Sequence, residues 1–475
     1  MATAPRKKYS DGYRAKAKAV DKARLAAFEC LSAVRKDDAY ANIVLPTIIK
    51  NKYLNKRDAA FATELSYGTI RMFALYDEII KTAYTGKTKL DSTVIDLLRL
   101  GAHQLFSMRI PTHAAVSETV DLARHITTDG PARTINAIMR RMSERTLQEW
   151  EEIVLSGKRE DEVLSIKYSH PAWIVRALQD SLVKNGRPAE EVVELLEANC
   201  QNPYVCLVAR PNLIHPADLA EQAQNILHTN VRPGILSYDA VVIENGTPGR
   251  LPAIRDGLAA VQDEGSQLCA QILANIETGS DEGKWLDMCA GPGGKAALLA
   301  CYAQEQGMFL LANEYSAHRA ELVAKTLKSV NPNTYEVVCN DGRELDGLYD
   351  KILVDAPCSG LGALRRRPES RWRKTIKDLA QLRILQQELL ENAYRLLAPG
   401  GVLAYVTCSP HIVETHAQVS AFMEKHEDAM VINAVEVAKD LIPDKELDLG
   451  EGPYLQLWTH MHDSDCMFLA LIVKK

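Results

Sequence analysis

The sequence Trp285-Leu286-Asp287-Met288-Cys289-Ala290-Gly291-Pro292-Gly293-Gly294-Lys295 predicts a buried strand that runs into a glycine-rich turn. Two later apolar runs, residues 351–355 and 401–406, are each followed by a cysteine tetrapeptide. These are Pro357-Cys358-Ser359-Gly360 and Thr407-Cys408-Ser409-Pro410. Glycines at a strand-to-helix turn let the backbone approach a ligand closely. The three segments together predict a ligand-binding loop with two thiols at strand ends.

Strands and helices alternate from residue 284 onward. The predicted strands lie near residues 284–289, 308–314, 336–340, 351–356, 401–407 and 467–473. Their apolar runs lack the alternation of a half-exposed strand, which is typical of a parallel sheet covered by helices on both faces. We therefore predict a C-terminal α/β domain of the doubly wound, Rossmann-like kind over residues 261–475.

The preceding regions have different patterns. Residues 21–150 carry apolar side chains at helical spacing, which predicts an all-α domain of five to seven helices. One such stripe is formed by Met72, Leu75, Tyr76, Ile79 and Ile80. The charged segment 149–162 is interpreted as a linker or a solvated helix. Residues 165–260 contain strand-like runs at 204–210 and 240–243 among helical patterns, so we predict a small α+β middle domain there.

The bulk composition bounds the class of protein. A chain of 475 residues, 47% hydrophobic and 25% charged, is expected to form several soluble globular domains. No apolar stretch approaches the roughly 20 residues that span a membrane. The scattered cysteines include no C-x-x-C pair, so neither a structural zinc site nor a disulfide scaffold is predicted. We expect a cytoplasmic monomer without a metal or a membrane partner.

Positive charge is concentrated in two stretches, although the formal net charge is −6. Residues 1–20 form a basic arm. A second run follows the Cys358 tetrapeptide and comprises Arg365, Arg366, Arg367, Arg371, Arg373, Lys374 and Lys377. A solvated surface is the common explanation of such runs. The position of the second run, directly after a candidate active-site thiol, favours contact with a nucleic acid.

The glycine-rich turn favours S-adenosylmethionine over other nucleotide cofactors. Its sequence matches neither the G-x-G-x-x-G motif nor the G-x-x-x-x-G-K-[ST] motif, which argues against NAD and ATP. Glu314 ends the next predicted strand, where a carboxylate can accept both ribose hydroxyls. Asp341 ends the third strand and is placed for an adenine amino group. Acids at strand ends line the edge of such a sheet where ligands bind.

Two strand-end thiols indicate covalent catalysis. The ring would be electrophilic, and cytosine is an example: its C5 is a poor nucleophile until another group adds at C6, and a thiolate is well suited to that addition. A base must then remove the C5 proton so that the enzyme is released. A carboxyl group at N3 and the exocyclic amine would stabilise the developing charge.

These motifs resemble the RNA 5-methylcytosine methyltransferases. The likeness rests on Asp355-Ala356-Pro357-Cys358-Ser359-Gly360, on Thr407-Cys408-Ser409 and on the cofactor loop. Residues 62–71, 98–105, 114–120 and 135–141 resemble the NusB-like RNA-binding domain, and the segment 361–373 resembles the rRNA branch of the RsmB/Sun type. The resemblance implies methylation of a cytosine in small-subunit ribosomal RNA.

The resemblance also implies residue roles. Cys408 would be the nucleophile, Cys358 would assist proton removal and release, and Asp355 would contact the base. The implied cofactor-binding set is Cys289, Ala290, Gly291, Pro292, Gly293, Gly294, Lys295, Glu314, Arg319, Asp341 and Asp355.

The chain departs from the family pattern at a few positions. Gly291 replaces an alanine and Ala296 a threonine of the usual loop, and both changes are small. Glu414-Thr415-His416 stands where the family often has E-N-E, which weakens the substrate assignment more than the chemistry.

Three other functions compete with this interpretation. A tRNA cytosine-C5 methyltransferase would share the same chemistry, and only the NusB-like region argues against it. A non-catalytic ribosome-assembly or antitermination factor would explain that region but has no need of Asp355 and both thiols. A Rossmann dehydrogenase would require NAD, which the loop text does not favour.

Overall fold

The computed structural model describes residues 20–475. The predicted basic arm, apart from Val20, lies outside the described residues. The chain divides between Ser156 and Gly157 into two compact units, which are described separately below. The division falls within the charged segment 149–162, between the eighth and ninth helices.

The first unit is helical, as predicted. Asp21, Asn55 and Asp91 begin three of its helices by accepting a hydrogen bond from a backbone amide of the first turn, which satisfies an otherwise unpaired donor. Its helices are α1 (Lys22–Lys36), α2 (Ala41–Asn51), α3 (Lys56–Arg71), α4 (Phe73–Ala83), α5 (Ser92–Phe106), α6 (Thr112–Ile126), α7 (Asp129–Met142) and α8 (Leu147–Leu155).

The second unit begins with a helical and mixed region that contains a small antiparallel sheet. The strand order of this sheet is β2-β3-β1-β4. The elements are α9 (Glu160–Lys167), α10 (Ala172–Lys184), α11 (Val192–Cys200), β1 (Val205–Ala209), α12 (Pro216–Leu227), β2 (Val231–Pro233), β3 (Ala240–Ile243), α13 (Pro252–Arg255), β4 (Ala259–Val261) and α14 (Glu264–Asn275).

The rest of the second unit is built on a larger sheet of order β10-β12-β9-β8-β5-β6-β7, with β11 paired to β12. Its elements are β5 (Lys284–Asp287), α15 (Gly294–Glu305), β6 (Phe309–Asn313), α16 (Ala317–Leu327), β7 (Tyr335–Val338), β8 (Tyr349–Asp355), α17 (Ile376–Leu396), β9 (Leu397–Thr407), α18 (His416–Met423), β10 (Ala429–Ile432), α19 (Ala434–Leu441), β11 (Leu455–Gln456), α20 (Thr459–His462) and β12 (Phe468–Lys474).

Helices cover both faces of the large sheet, as the apolar runs predict. On β9, Ala404 packs into a core shared with α14 and α15. The neighbouring Leu403 and Tyr405 pack on the opposite side with α17 and α18. Because successive side chains of a strand point to opposite faces, a strand buried on both sides must be apolar throughout.

The prediction of a wholly parallel sheet is wrong at its C-terminal end. Strands β5 to β9 pair in parallel, but β12 lies between β9 and β10 and is antiparallel to both. An apolar run shows that a strand is buried and carries no information about its direction, so the sequence pattern could not detect the reversal.

Candidate active site

The two thiols meet at the carboxyl edge of the large sheet. Strands β8 and β9 are parallel neighbours with Asp355 in register with Val406, so the loops that follow them leave the sheet side by side. The Sγ atoms of Cys358 and Cys408 lie 3.2 Å apart, and both side chains are half-buried. The amide of Gly362 donates to the Cys408 carbonyl at 2.9 Å, so a backbone hydrogen bond also connects the two loops.

A half-buried ion pair lies at the same edge. Lys295, in the first turn of α15, donates to Asp355 at 2.8 Å. Burial acts to lower the pKa of Lys295, but the charge and hydrogen bond of Asp355, together with the nearby Cys269 and Cys408 thiols, raise it above its ordinary value. The cation is therefore fixed beside the carboxylate that ends β8.

Asp287 is a second acid of this region, and it ends the adjacent strand β5. Its side chain is buried, and no side chain of the described residues donates a hydrogen bond to it. The nearby Cys289 amide stabilises its charge only in part. Burial, reinforced by the charge of Asp355, raises the pKa of Asp287 to about 8. A buried acid without a partner of its own is the exception in a folded protein and points to a ligand-binding position.

The glycine-rich loop is held by the strand next to it. The Gly291 amide donates to Glu314 at 3.0 Å, and Arg319 donates to the Gly291 carbonyl. Glu314 is buried and also accepts from the Ser316 amide at 3.0 Å. Gly293 has a φ of +114°, and a Cβ there would collide with Thr326. Both observations explain why this turn requires glycine.

Asp341 is already engaged by a side chain of its own segment. Its carboxylate pairs with the Arg343 guanidinium at 2.6 Å and caps a short 3-10 turn by accepting from the Arg343 amide at 3.0 Å. The strand order nevertheless places Asp355, Asp287, Glu314 and Asp341 along one edge, since β8, β5, β6 and β7 are consecutive neighbours.

The predicted contact of the arginine run with a nucleic acid is contradicted for three of its residues. Arg365 is buried and pairs with Asp463 at 2.8 Å. Arg366 pairs with Asp263 at 2.6 Å and Asp465 at 2.9 Å. Arg371 is fully buried and donates to the Asn199 carbonyl at 2.6 Å. The acids lie far from the arginines in sequence, so a local charge count could not show this pairing.

Comparison with known proteins follows the same division of the chain. Residues 274–473 match the family model described as 16S rRNA methyltransferase RsmB/F, and residues 21–144 match the NusB family. The chain is 42% identical over 458 residues to a putative methyltransferase of Mycobacterium tuberculosis (strain H37Rv), covering 95% of this chain and 96% of that one.

A second relative carries a more specific name. Ribosomal RNA small subunit methyltransferase B of Serratia proteamaculans is 30% identical over 447 residues, covering 91% of this chain and 94% of that protein. The chain belongs to the RsmB/F family of rRNA methyltransferases. It is an RNA cytosine-C5 methyltransferase with an N-terminal NusB-like region.

Solved structures agree on the fold. The crystal structure of PH0851 superposes with a TM-score of 0.76 at 20% identity and covers 96% of this chain and 99% of that one. No helix among residues 20–475 is long and apolar enough to cross a membrane, and that part of the chain contains no metal-binding group of His, Cys, Asp and Glu side chains.

Sequence reasoning overlooked two parts of this site. It assigned no role to Asp287, although the residue stands at the end of the decisive strand. It treated Glu414 only as part of a departure from the family text, yet Glu414 is fully buried and bonded to Ser359 and Ser409. The repeated Cys-Ser dipeptides were the available signal, because each places a hydroxyl next to a thiol.

The raised pKa of Asp287 makes a prediction about pH. An unfolded aspartate has a pKa of about 3.9, so between about pH 4 and pH 8 the folded state binds a proton that the unfolded state lacks, and stability falls as pH rises. Asp287→Asn removes this dependence. Urea denaturation should show the variant gaining stability relative to wild type as pH rises through that window.

The control for this experiment is Asp346→Asn, whose carboxylate is 87% exposed. Its free energy of unfolding should follow that of the wild type at every pH. Parallel curves for Asp287→Asn and the wild type would contradict the assignment.

Proposed function

We propose that this enzyme methylates C5 of a cytosine in small-subunit ribosomal RNA, using S-adenosylmethionine and a covalent bond between Cys408 and C6 of the base. The observation that carries the proposal is the pair of half-buried thiols, 3.2 Å apart, at the end of neighbouring parallel strands. One thiol can attack while its neighbour stays within reach of the same ring.

The residues of the loop fit S-adenosylmethionine. A turn that admits only glycine at Gly293 and a buried acid at Glu314 provide close backbone approach and an acceptor for ribose hydroxyls. Asp287 has unused acceptors. We propose that Cys289 to Lys295, Glu314, Arg319, Asp341 and Asp355 form the cofactor site. When bound, S-adenosylmethionine supplies an electrophilic methyl group.

Cys408 is the proposed nucleophile. Addition of its thiolate to C6 would break the C5–C6 double bond and make C5 enamine-like. C5 could then take the methyl group, as the bond from that carbon to the sulfonium sulfur breaks and S-adenosylhomocysteine leaves with its electron pair. Asp355 is proposed to contact N3 and the exocyclic amine, where charge develops. The 2.8 Å bond from Lys295 holds that carboxylate in place.

Cys358 is the proposed base for the final steps. Its bond with Cys408 and its burial raise the pKa of the Cys358 thiol well above the ordinary value. Once ionised, a thiol of high pKa is a strong base, which suits removal of the C5 proton. The electron pair of the C5–H bond then restores the double bond and expels the Cys408 thiolate.

We propose a division of labour along the chain. Residues 21–150 bind RNA, residues 261–475 carry out catalysis, and residues 165–260 support the catalytic part. Arg371 supports this last role, since it donates to the Asn199 carbonyl at 2.6 Å and so ties the middle region to the segment that follows the Cys358 tetrapeptide.

Glu314→Ala should weaken binding of S-adenosylmethionine by roughly 1–3 kcal/mol, because buried hydroxyls and the Gly291 amide lose their acceptor. Isothermal titration calorimetry measures the change directly. Glu321→Ala, on the exposed surface of α16, is the matched control and should bind as the wild type does. Unchanged affinity in Glu314→Ala would contradict the proposed cofactor site.

The two thiols should respond in opposite ways to removal. Cys408→Ala cannot form the adduct, so methyl transfer stops and no protein–RNA band appears on a denaturing gel. Cys358→Ala still attacks and methylates but cannot release the product, so a band should appear that requires both RNA and S-adenosylmethionine.

Two further variants complete this test. The double variant should show no band, since adduct formation precedes release. Cys200→Ala, which removes a thiol that donates to the Tyr168 carbonyl, should turn over normally. A band from Cys408→Ala and simple inactivity of Cys358→Ala would reverse the two roles.

Removal of residues 1–156 should lower methylation of small-subunit rRNA while leaving affinity for S-adenosylmethionine unchanged. The full chain should bind rRNA less tightly as salt rises, because phosphate contacts release counterions. To identify the substrate, rRNA and tRNA are each incubated with enzyme and cofactor. Bisulfite sequencing then shows which RNA carries 5-methylcytosine. Equal rRNA methylation by the fragment would contradict the role of the NusB-like region, and modification of tRNA alone would replace the proposed substrate.

A further inference from the structure

Glu414 connects the loops that carry the two thiols. It lies in a short 3-10 turn after β9 and is fully buried. One carboxylate oxygen accepts from the Ser359 amide at 2.7 Å, and the other accepts from the Ser359 hydroxyl at 2.5 Å. The Ser409 hydroxyl donates to that second oxygen at 2.6 Å. Ser359 follows Cys358 and Ser409 follows Cys408, so one carboxylate holds both cysteine loops.

The surrounding contacts hold the carboxylate itself. Gln386, on α17, donates to it at 3.2 Å and also donates to the Pro357 carbonyl at 2.9 Å. The Tyr405 hydroxyl, from within β9, donates to the Glu414 backbone carbonyl at 2.9 Å. The two serine hydroxyls lie 3.0 Å from each other. These contacts form a closed buried network behind the thiols.

Burying the Glu414 carboxylate costs free energy of folding, so stability alone does not explain this network. A buried carboxylate loses its hydration, and all the donors that bond to Glu414 are neutral. Charge-assisted hydrogen bonds are roughly twice as strong as neutral ones. The buried carboxylate is therefore most stable when its hydrogen bonds to these groups are well formed. Ser359 and Ser409, which donate these hydrogen bonds, are the residues that follow the two cysteines.

We propose that Glu414 is a positioning residue for the methyl transfer reaction: its carboxylate fixes the Cys358 and Cys408 loops relative to each other, so that both thiols face the same base. The catalytic part of this inference rests on the proposed function. The geometric part does not, because the distance between the thiols can be tested without RNA.

The rate at which diamide oxidises the two thiols to a disulfide reports how close they lie. The two thiols lose two protons and two electrons to form a Cys358–Cys408 disulfide, and the diazene N=N bond of diamide is reduced to a hydrazine. In wild type the thiols are neighbours, so the disulfide should form rapidly. In Glu414→Ala the loops separate, and disulfide formation should slow by about tenfold or more as the effective concentration of one thiol at the other falls.

Methyl transfer supplies the second readout. In Glu414→Ala, kcat should fall by about 100-fold, as expected for a reacting group misplaced by about 1 Å, with little change in KM for S-adenosylmethionine. Glu414→Gln retains a carbonyl oxygen for the Ser359 amide and an NH₂ group for the serine hydroxyls. It should therefore restore most of both rates.

Asp350→Ala is the matched control. Asp350 is also buried and accepts from the Glu282 and Lys284 amides at 2.7 and 3.1 Å, but it lies at the opposite end of β8, about 16 Å from Asp355 at 3.3 Å per residue. Its removal should lower stability without slowing disulfide formation. Peptide mapping under non-reducing conditions identifies the disulfide in each variant.

The outcomes separate the possibilities. Wild-type rates in Glu414→Ala would overturn the proposal, as would equal slowing in Asp350→Ala or equal damage in Glu414→Gln. Slow disulfide formation in Glu414→Ala, with no methylation by any variant or by wild type, would support the positioning role and overturn the proposed function. If Glu414→Ala does not fold, Ser359→Ala and Ser409→Ala each remove one tie and should slow disulfide formation less.

Discussion

Parallel pairing of β8 with β9 brings together groups that are far apart in sequence. With Asp355 in register with Val406, the loops that begin at Ala356 and Cys408 leave the sheet as neighbours. Both strands are buried on their two faces, so a shift of register would expose apolar side chains and is disfavoured. The core thereby brings the two loops side by side, and the hydrogen bonds of Glu414 join them beyond the sheet.

The acids at this edge differ in the partners that surround them. Lys295 neutralises Asp355, whereas Asp287 has no cation of its own and the pKa of its carboxyl group is raised to about 8 by burial and by Asp355. Glu414 is held by neutral donors alone. Asp355 is therefore paired with a cation, Asp287 has a raised pKa, and Glu414 binds both cysteine loops, and each of these differences follows from the neighbours of the acid.

The fold was largely predictable because its signals are local. The apolar runs of β8 and β9 and the glycine turn before Lys295 each carry their own pattern, and so does Asp91, an N-cap residue at the start of α5. Pairings between distant segments were not predictable. The antiparallel direction of β12, the partners of Arg365 and Arg366, and the bonds of Glu414 to two loops all depend on which elements become neighbours, which a single sequence does not encode locally.

The most direct test of the covalent mechanism is to identify the cysteine to which the RNA becomes bonded. Substrate RNA that carries 5-fluorocytidine offers no C5 proton to remove, so the adduct should persist after methyl transfer. Wild-type enzyme incubated with this RNA and S-adenosylmethionine is digested, and the crosslinked peptide is sequenced by mass spectrometry. A modified nucleotide attached to Cys408 is the predicted result. Attachment to Cys358, or no covalent product at all, would contradict the account.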